Sequence, residues 1–312
     1  MNNQRGMVIR GINNIYSVIL CDEAGPLEPW QVITCRIKGK VLQGIDREYA
    51  PLAPGDIVNF IPVGTEEGMI TGRKERRSRF TRWNAKRQEN QTLSANIDLL
   101  VIVASADEPP LRPRFIDRAI VCTYDADILL ILNKCDLPLT AEEDERFRLY
   151  SELGYQTLHI SAFDEAGIEL VRQSIAGKSA AFVGQSGVGK STIINALTGS
   201  AEQQVTGDIS LKYNRGRHTT NHSLAIRTAD GVVIDTPGVR EIHIPTTSAI
   251  HIVESFPEFK ESYGKCEYDG CQHDHEPGCD VKRRVEEGRI HPDRYESYLR
   301  MLDSVQSRER QY

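Results

Sequence analysis

Three short stretches of this chain carry residue types at spacings suited to handling a phosphorylated purine. In Gly184-Gln185-Ser186-Gly187-Val188-Gly189-Lys190-Ser191 the glycines let successive backbone N–H groups turn inward around an anion. Lys190 is placed to reach β- and γ-phosphates, and the Ser191 hydroxyl to ligate Mg²⁺. Gly231 to Ile234 is an apolar run closed by Asp235-Thr236-Pro237-Gly238. An aspartate ending such a strand can hold Mg²⁺ through water, while the Gly238 N–H can sense whether a γ-phosphate is present. Asn133-Lys134-Cys135-Asp136 follows a third apolar run, Ile128 to Leu132. The Asp136 carboxylate can accept from guanine N1–H and the exocyclic amine, which adenine cannot offer, so the wrong base would leave a buried charge unpaired. Lys134 would lie along the base, and Ser161-Ala162 could give a backbone N–H to guanine O6.

These groups need particular elements beneath them. Ala180 to Val183 reads as a buried strand and Ser191 to Leu197 as a helix with Thr192 in its first turn, so the phosphates would meet a helix N-terminus with its unpaired N–H groups and dipole. Buried runs at Leu99 to Val103, Ile128 to Leu132, Thr157 to Ile160, Ala181 to Val183 and Val232 to Ile234 accompany helical patterns over Arg114 to Thr123, Ala141 to Leu153 and Glu165 to Ile175. That arrangement predicts a mainly parallel α/β sheet with a P-loop GTPase core. Leu224 to Arg227 with Val232 to Ile234 adds one antiparallel hairpin. The guanine-reading motif precedes the phosphate loop, the reverse of an ordinary small GTPase, which predicts a circularly permuted order of the same parts.

Between the phosphate loop and Asp235 lies Gly216-Arg217-His218-Thr219-Thr220. A threonine in this loop is expected to place its hydroxyl on Mg²⁺ and its N–H on the γ-phosphate. Thr219 and Thr220 both qualify, and Thr220 is preferred. After Gly238 stands Val239, where many GTPases carry a water-orienting glutamine. Slow intrinsic hydrolysis is therefore expected, with His218 as the nearest group by motif to position water, against its alternative as a phosphate or RNA contact.

Cys266, Cys271, His273 and Cys279 form a C-x4-C-x-H-x5-C cluster, with His275 as a competing ligand. Three thiolates and one imidazole suit a closed tetrahedral structural Zn²⁺ site. The remaining cysteines, Cys21, Cys35, Cys122 and Cys135, are dispersed, and most lie in apolar runs. With no secretion signal read, a disulfide network is disfavoured and a cytoplasmic location expected.

The permuted order, Gly-Arg-His-Thr-Thr at 216–220, Asp-Thr-Pro-Gly-Val-Arg-Glu at 235–241 and the later cysteine-histidine cluster resemble the RsgA (YjeQ/YloQ) family of bacterial ribosome-assembly GTPases. The resemblance covers nearly the whole chain. It implies an N-terminal OB-fold, a permuted GTPase core and a C-terminal helical zinc-binding domain. It also favours His273 as the fourth ligand. The implied activity is binding to the small (30S) ribosomal subunit and its 16S rRNA late in maturation, with GTP hydrolysed to GDP under stimulation by the subunit.

The flanks agree without that resemblance. Short β-rich runs at Met7 to Arg10, Ile15 to Cys21, Gln31 to Ile37, Asp56 to Pro62 and Gly68 to Gly72 predict a small barrel, which the runs alone leave open between OB and SH3-like types. From Arg73 to Arg87 the chain turns basic around Phe80 and Trp83, suiting phosphate contact and base stacking. At 312 residues with a net charge of -6, local basic patches are favoured over a uniform RNA-coating surface. No apolar stretch approaches the roughly 20 residues that span a bilayer. The expected units are a barrel over 1–74, a basic linker over 75–95, the GTPase domain over 96–244 and a zinc lobe over 245–312, in a monomer. Two other readings are an RNA-binding protein with a purely regulatory guanine-nucleotide site, and a small-molecule phosphotransferase, for which the Asn-Lys-x-Asp motif has no use.

Overall fold

The computed structural model describes residues 3–22, 25–43, 48–199, 222–238 and 241–310. Five strands at the N-terminus, β1 (Gln4–Ile12), β2 (Ile15–Leu20), β3 (Val32–Ile37), β4 (Ile57–Pro62) and β5 (Glu67–Arg73), close into a barrel of order β1-β2-β3-β5-β4. β3 runs parallel to β5 and the other pairs are antiparallel. This Greek-key order is that of an OB-fold, the choice that the strand pattern alone left open. Val8, Val18, Cys35, Val58, Phe60 and Ile70 fill the interior with no measurable exposure.

Next comes a hairpin of β6 (Arg79–Asn84) and β7 (Glu89–Ala95), which joins β9 (Thr123–Tyr124) in a three-stranded sheet. The basic stretch 75–95, expected as a linker, is thus a folded unit. Two of its charges, Arg76 and Arg77, are paired with carboxylates far away in sequence. The Arg76 side chain is 2% exposed and bonds Asp56 and Glu48, each at 2.8 Å. Phe80 is fully buried and unavailable to a nucleic acid, whereas Lys74, Arg77, Lys86 and Arg87 remain exposed.

The main sheet has six strands in the order β11-β10-β8-β12-β14-β13. They are β8 (Leu99–Ser105), β10 (Asp127–Asn133), β11 (Gln156–His159), β12 (Lys178–Gly184), β13 (Leu224–Arg227) and β14 (Gly231–Asp235). All neighbours are parallel except β13 and β14. β8 is buried along its whole length, as a strand covered on both faces must be. Leu99, Val101 and Val103 point with Phe182 toward α3 (Glu165–Ile175) and α4 (Lys190–Thr198). Leu100, Ile102, Leu130 and Val183 belong to the opposite core, shared with α1 (Pro113–Val121), α2 (Ala141–Glu152) and the C-terminal helices.

Those C-terminal helices are α5 (Ala249–Glu254), a 3₁₀ helix (Pro257–Ser262), α6 (Asp280–Glu286) and α7 (Pro292–Glu309). Phe256, Phe259 and Tyr298 pack ring against ring beneath the cysteine-rich loop. Arg294, 2% exposed, joins this lobe to the GTPase core. It bonds Glu258 at 2.8 and 3.1 Å and also Asp117 of α1, which accepts from Tyr150 at 2.7 Å. No helix among the described residues is long and apolar enough to cross a membrane.

Candidate functional site

Parallel strands end on one rim, so the loops after β8, β10, β11, β12 and β14 gather there regardless of their order along the chain. The phosphate loop spans the five residues between β12 and α4. Gly187 and Gly189 take φ of 90° and 88°, the left-handed region where a side chain is strained. A Cβ on Gly189 would also lie 2.2 Å from the Asn133 amide nitrogen, so glycine is required there twice over. Lys190 is 6% exposed, and its ammonium pairs directly with the Asp235 carboxylate at the end of β14. Ser191 and Thr192 open the first turn of α4 in exposed positions.

Asn133 ends β10 at 1% exposure and holds three loops together. Its amide nitrogen donates to the Val188 carbonyl at 2.8 Å, and its amide oxygen accepts from the Ala162 N–H at 2.9 Å. One side chain therefore ties the base-reading loop to the phosphate loop and to Ser161-Ala162. This joining role was not visible in the motif. In this arrangement the Ala162 N–H is engaged by Asn133, and the Phe163 N–H contacts the Ser161 hydroxyl at 3.3 Å. The Lys134 ammonium donates to the Glu108 carbonyl, so its stem crosses toward the loop after β8. Asp136 is exposed, open to a base.

The loop after β8 is a further part of the site that sequence reasoning missed. The Pro109 carbonyl accepts from Ser105 at 2.6 Å, and Pro109 Cδ lies 3.4 Å from where a Gly187 Cβ would stand. The signal for it was the strand preceding Ser105, read as structure only. On the other side, the Thr236 hydroxyl donates to the Phe182 carbonyl at 2.7 Å, fixing the start of Asp235-Thr236-Pro237-Gly238 against β12. Gly238 sits 3.9 Å, measured from an ideal Cβ, from the Ser186 nitrogen. His218, Thr219, Thr220 and Val239 lie outside the described residues.

The candidate donors here are a buried carboxylate, Asp235, at the end of β14 and a hydroxyl, Ser191, at the start of α4. Hard oxygen ligands of this kind fit Mg²⁺, which keeps several waters and binds through few protein groups plus phosphate. In the C-terminal lobe, Cys266, Cys271, His273 and Cys279 place one donor atom each within 4.8 Å of all the others. Their closest approaches include 3.4 Å from Cys279 Sγ and 3.6 Å from Cys266 Sγ to His273 Nδ1. Tetrahedral donors at a metal–sulfur length of about 2.3 Å stand about 3.8 Å apart, so the cluster can hold a metal ion. Burial pushes the Cys271 thiol up to about 12 and lowers the His273 pKa. Gathering such groups without a cation is unfavourable for the thiolate forms that bind one. His275, the alternative ligand, is 85% exposed and turned to Asp274. Tyr295 donates to the His273 carbonyl at 2.7 Å, and the Asp280 N–H to Cys266 Sγ at 3.4 Å, orienting the cluster from outside.

A permuted strand order carrying a phosphate loop, an Asp-x-x-Gly loop and a joined Asn-Lys-x-Asp motif on one rim defines a circularly permuted P-loop GTPase. Residues 73–245 match the RsgA GTPase family model. The chain is 36% identical over 309 residues to the small ribosomal subunit biogenesis GTPase RsgA of Borreliella burgdorferi, covering 98% of each. It is 38% identical over 266 residues to the protein of the same name from Chlorobaculum parvum, covering 81% of this chain and 85% of that one. Among solved structures, YjeQ from Thermotoga maritima superposes with a TM-score of 0.70 at 26% identity, over 97% of this chain and 99% of that one. YloQ, described as a circularly permuted GTPase, shares the fold with a TM-score of 0.69 at 24% identity, over 98% and 96%. The chain belongs to the RsgA GTPase family and is a GTP hydrolase.

Proposed function

We propose that this GTPase binds the small (30S) ribosomal subunit in the cytoplasm as a monomer, contacts 16S rRNA, and uses GTP hydrolysis, accelerated by the subunit, to assist late maturation. The observation that carries the reading is the convergence at Asn133 of the base-reading and phosphate-binding loops, in a chain whose curated relatives are named for small-subunit biogenesis. In this reading Asp136 selects guanine, with Asn133, Lys134, Ser161 and Ala162 shaping its pocket. Gly184 to Gly189 cradle the phosphates, Lys190 exchanges Asp235 for the β- and γ-phosphates, and Thr192 supports the first turn. Ser191, Asp235 and Thr220 hold Mg²⁺, which supplies charge neutralisation at the phosphates. Gly238 reports the γ-phosphate, and His218 positions water. The Cys266, Cys271, His273 and Cys279 ion is Zn²⁺, and its role is structural because all four positions are filled by protein.

The exposed cations Lys74, Arg77, Lys86 and Arg87 are the part of the basic stretch available to rRNA. The Asp235 loop leads straight into the C-terminal lobe, so loss of the γ-phosphate releases a grip formed by barrel and lobe together. The test is GTP turnover with and without purified small subunits. Strong stimulation is expected. Turnover unchanged by subunits, with equal subunit affinity in GTP-analogue and GDP states, contradicts the proposal.

A further inference from the structure

β8 is buried along its length and ends at Ser105, which stands opposite Asn133 of β10 in the sheet register and is 1% exposed. From there the chain turns away between two buried anchors, Ala106 and Leu111. The Ser105 hydroxyl closes this turn by donating to the Pro109 carbonyl at 2.6 Å. Inside it, the Glu108 N–H donates to Asp107 Oδ1 at 2.7 Å. Glu108 takes a φ of 44°, a left-handed conformation that a residue with a side chain keeps only where its surroundings impose it.

Two contacts leave the turn toward the nucleotide rim. The Glu108 carbonyl accepts from the Lys134 ammonium, and Pro109 Cδ stands 3.4 Å from the place of a Gly187 Cβ. Lys134 is therefore held at both ends, by its backbone at a φ of 66° in the base-reading loop and by its ammonium on the turn. A lysine stem gives up much rotamer freedom when it is ordered. Anchoring it before the nucleotide arrives removes that cost from binding. The anchor is a backbone carbonyl, so the ammonium can be held only while the turn keeps its shape.

We infer that Ser105 is a positioning residue for nucleotide binding, whose hydroxyl fixes the turn so that the Glu108 carbonyl anchors Lys134 along the base and Pro109 backs the phosphate loop at Gly187. The inference rests on the assignment of Lys134 to the base and of Gly184 to Gly189 to the phosphates. A serine suits the task because its stem is short and its backbone is already fixed in the sheet. The turn's contacts are with Lys134 and Gly187 rather than with Gly238 at the γ-phosphate, so Ser105 acts on GTP and GDP alike.

The test titrates the full chain with GDP and with a non-hydrolysable GTP analogue in the presence of Mg²⁺. Binding by the native chain tests the nucleotide site itself, and the ratio of variant to native tests Ser105. Ser105→Ala is expected to weaken both nucleotides by the same factor, about fivefold, as when the turn holds its binding shape about a fifth of the time. The loss should fall on affinity and not on the single-turnover hydrolysis rate at saturation. Ser78, 3% exposed, donates its hydroxyl to the Ile97 carbonyl near the other end of β8. Ser78→Ala removes a comparable buried hydroxyl, and its GDP affinity should stay within about twofold of native even if the melting temperature falls as far. Lys134→Met removes the ammonium that the turn anchors, so in that background Ser105→Ala should cost less than about twofold. Unchanged affinity in Ser105→Ala, a loss no larger than that of Ser78→Ala, or an equal loss in the native and Lys134→Met backgrounds overturns the inference.

Discussion

The nucleotide rim and the cysteine-rich lobe solve one positioning problem by different means. On the rim, loops are held by the strands beneath them, whose apolar side chains are fully buried, and one asparagine joins the loops above. In the lobe, the loop from Cys266 to Cys279 contains no strand, and beneath its cluster of three cysteines and one histidine, which can hold a metal ion, lie Phe256, Phe259 and Tyr298. Hydrophobic burial beneath the loops fixes the first site, whereas the second gathers thiols that burial alone would keep neutral. The two should therefore fail separately.

The largest effect expected is from metal removal. Chelation, or Cys279→Ala, should release the 264–280 loop, because structural zinc contributes on the order of 10 kcal/mol in small sites. Hydrogen exchange should show that loop losing protection while GDP affinity stays within about threefold. Parallel loss of nucleotide binding would break the comparison. Next in size is the joint between the two regions. Arg294→Met leaves Asp117 buried without its cation, at a cost of about 3–5 kcal/mol, and should lower the melting temperature of the whole chain. Arg294→Met with Asp117→Asn and Glu258→Gln should recover much of that loss, since both carboxylates that Arg294 compensates are then neutral.

Asn133→Ala strips partners from the Val188 carbonyl and the Ala162 N–H, each about 1–3 kcal/mol when left unsatisfied. GTP affinity should fall at least about tenfold while exchange protection in the lobe is unchanged. The smallest effect concerns acid stability at the opposite end of the sheet. Burial would raise the Asp98 pKa, but hydrogen bonds from Arg77 at 2.6 Å and from the Ser179 N–H at 2.8 Å outweigh it and hold it below the ordinary 3.8. A carboxylate with a depressed pKa contributes stability above pH 3.8 that is lost as pH falls through its lower folded value. Asp98→Asn should flatten that acid limb. Arg77 is 59% exposed and screened by solvent, so the change should stay below about 1 kcal/mol.

The same contrast explains what the sequence revealed. Strands buried on both faces write themselves as apolar runs, so those at Leu99, Ile128 and Val232 were legible, as were the turns loaded with glycine and charge. The Cys-His spacing was legible too, although His273 and His275 could be separated only by the resemblance until the fold turned His275 to solvent. The hairpin at 79–95 was hidden because its signs are tertiary. Arg76 reads as a surface cation until Asp56 and Glu48, 20 and 28 residues away, come to meet it. Helix α6 was also missed, for its seven residues are mostly charged and are placed by burial of Val281 and by neighbours rather than by a wide apolar stripe. Asn133 was read as part of a base-binding motif, and its amide also fastens three loops, a tertiary role that the motif does not spell out.

Transposed segments form one pocket expected to prefer guanosine triphosphate, and Asp136 is where that preference is exposed to test. Equilibrium affinities for GTP, ATP and xanthosine triphosphate, measured on the native chain and on Asp136→Asn, address it directly. The native chain should favour GTP over ATP by at least about a hundredfold. The substitution should abolish that preference and favour xanthosine triphosphate, whose carbonyl replaces the guanine amine. Equal affinity for GTP and ATP in the native chain, or an unaltered preference in Asp136→Asn, would contradict the account.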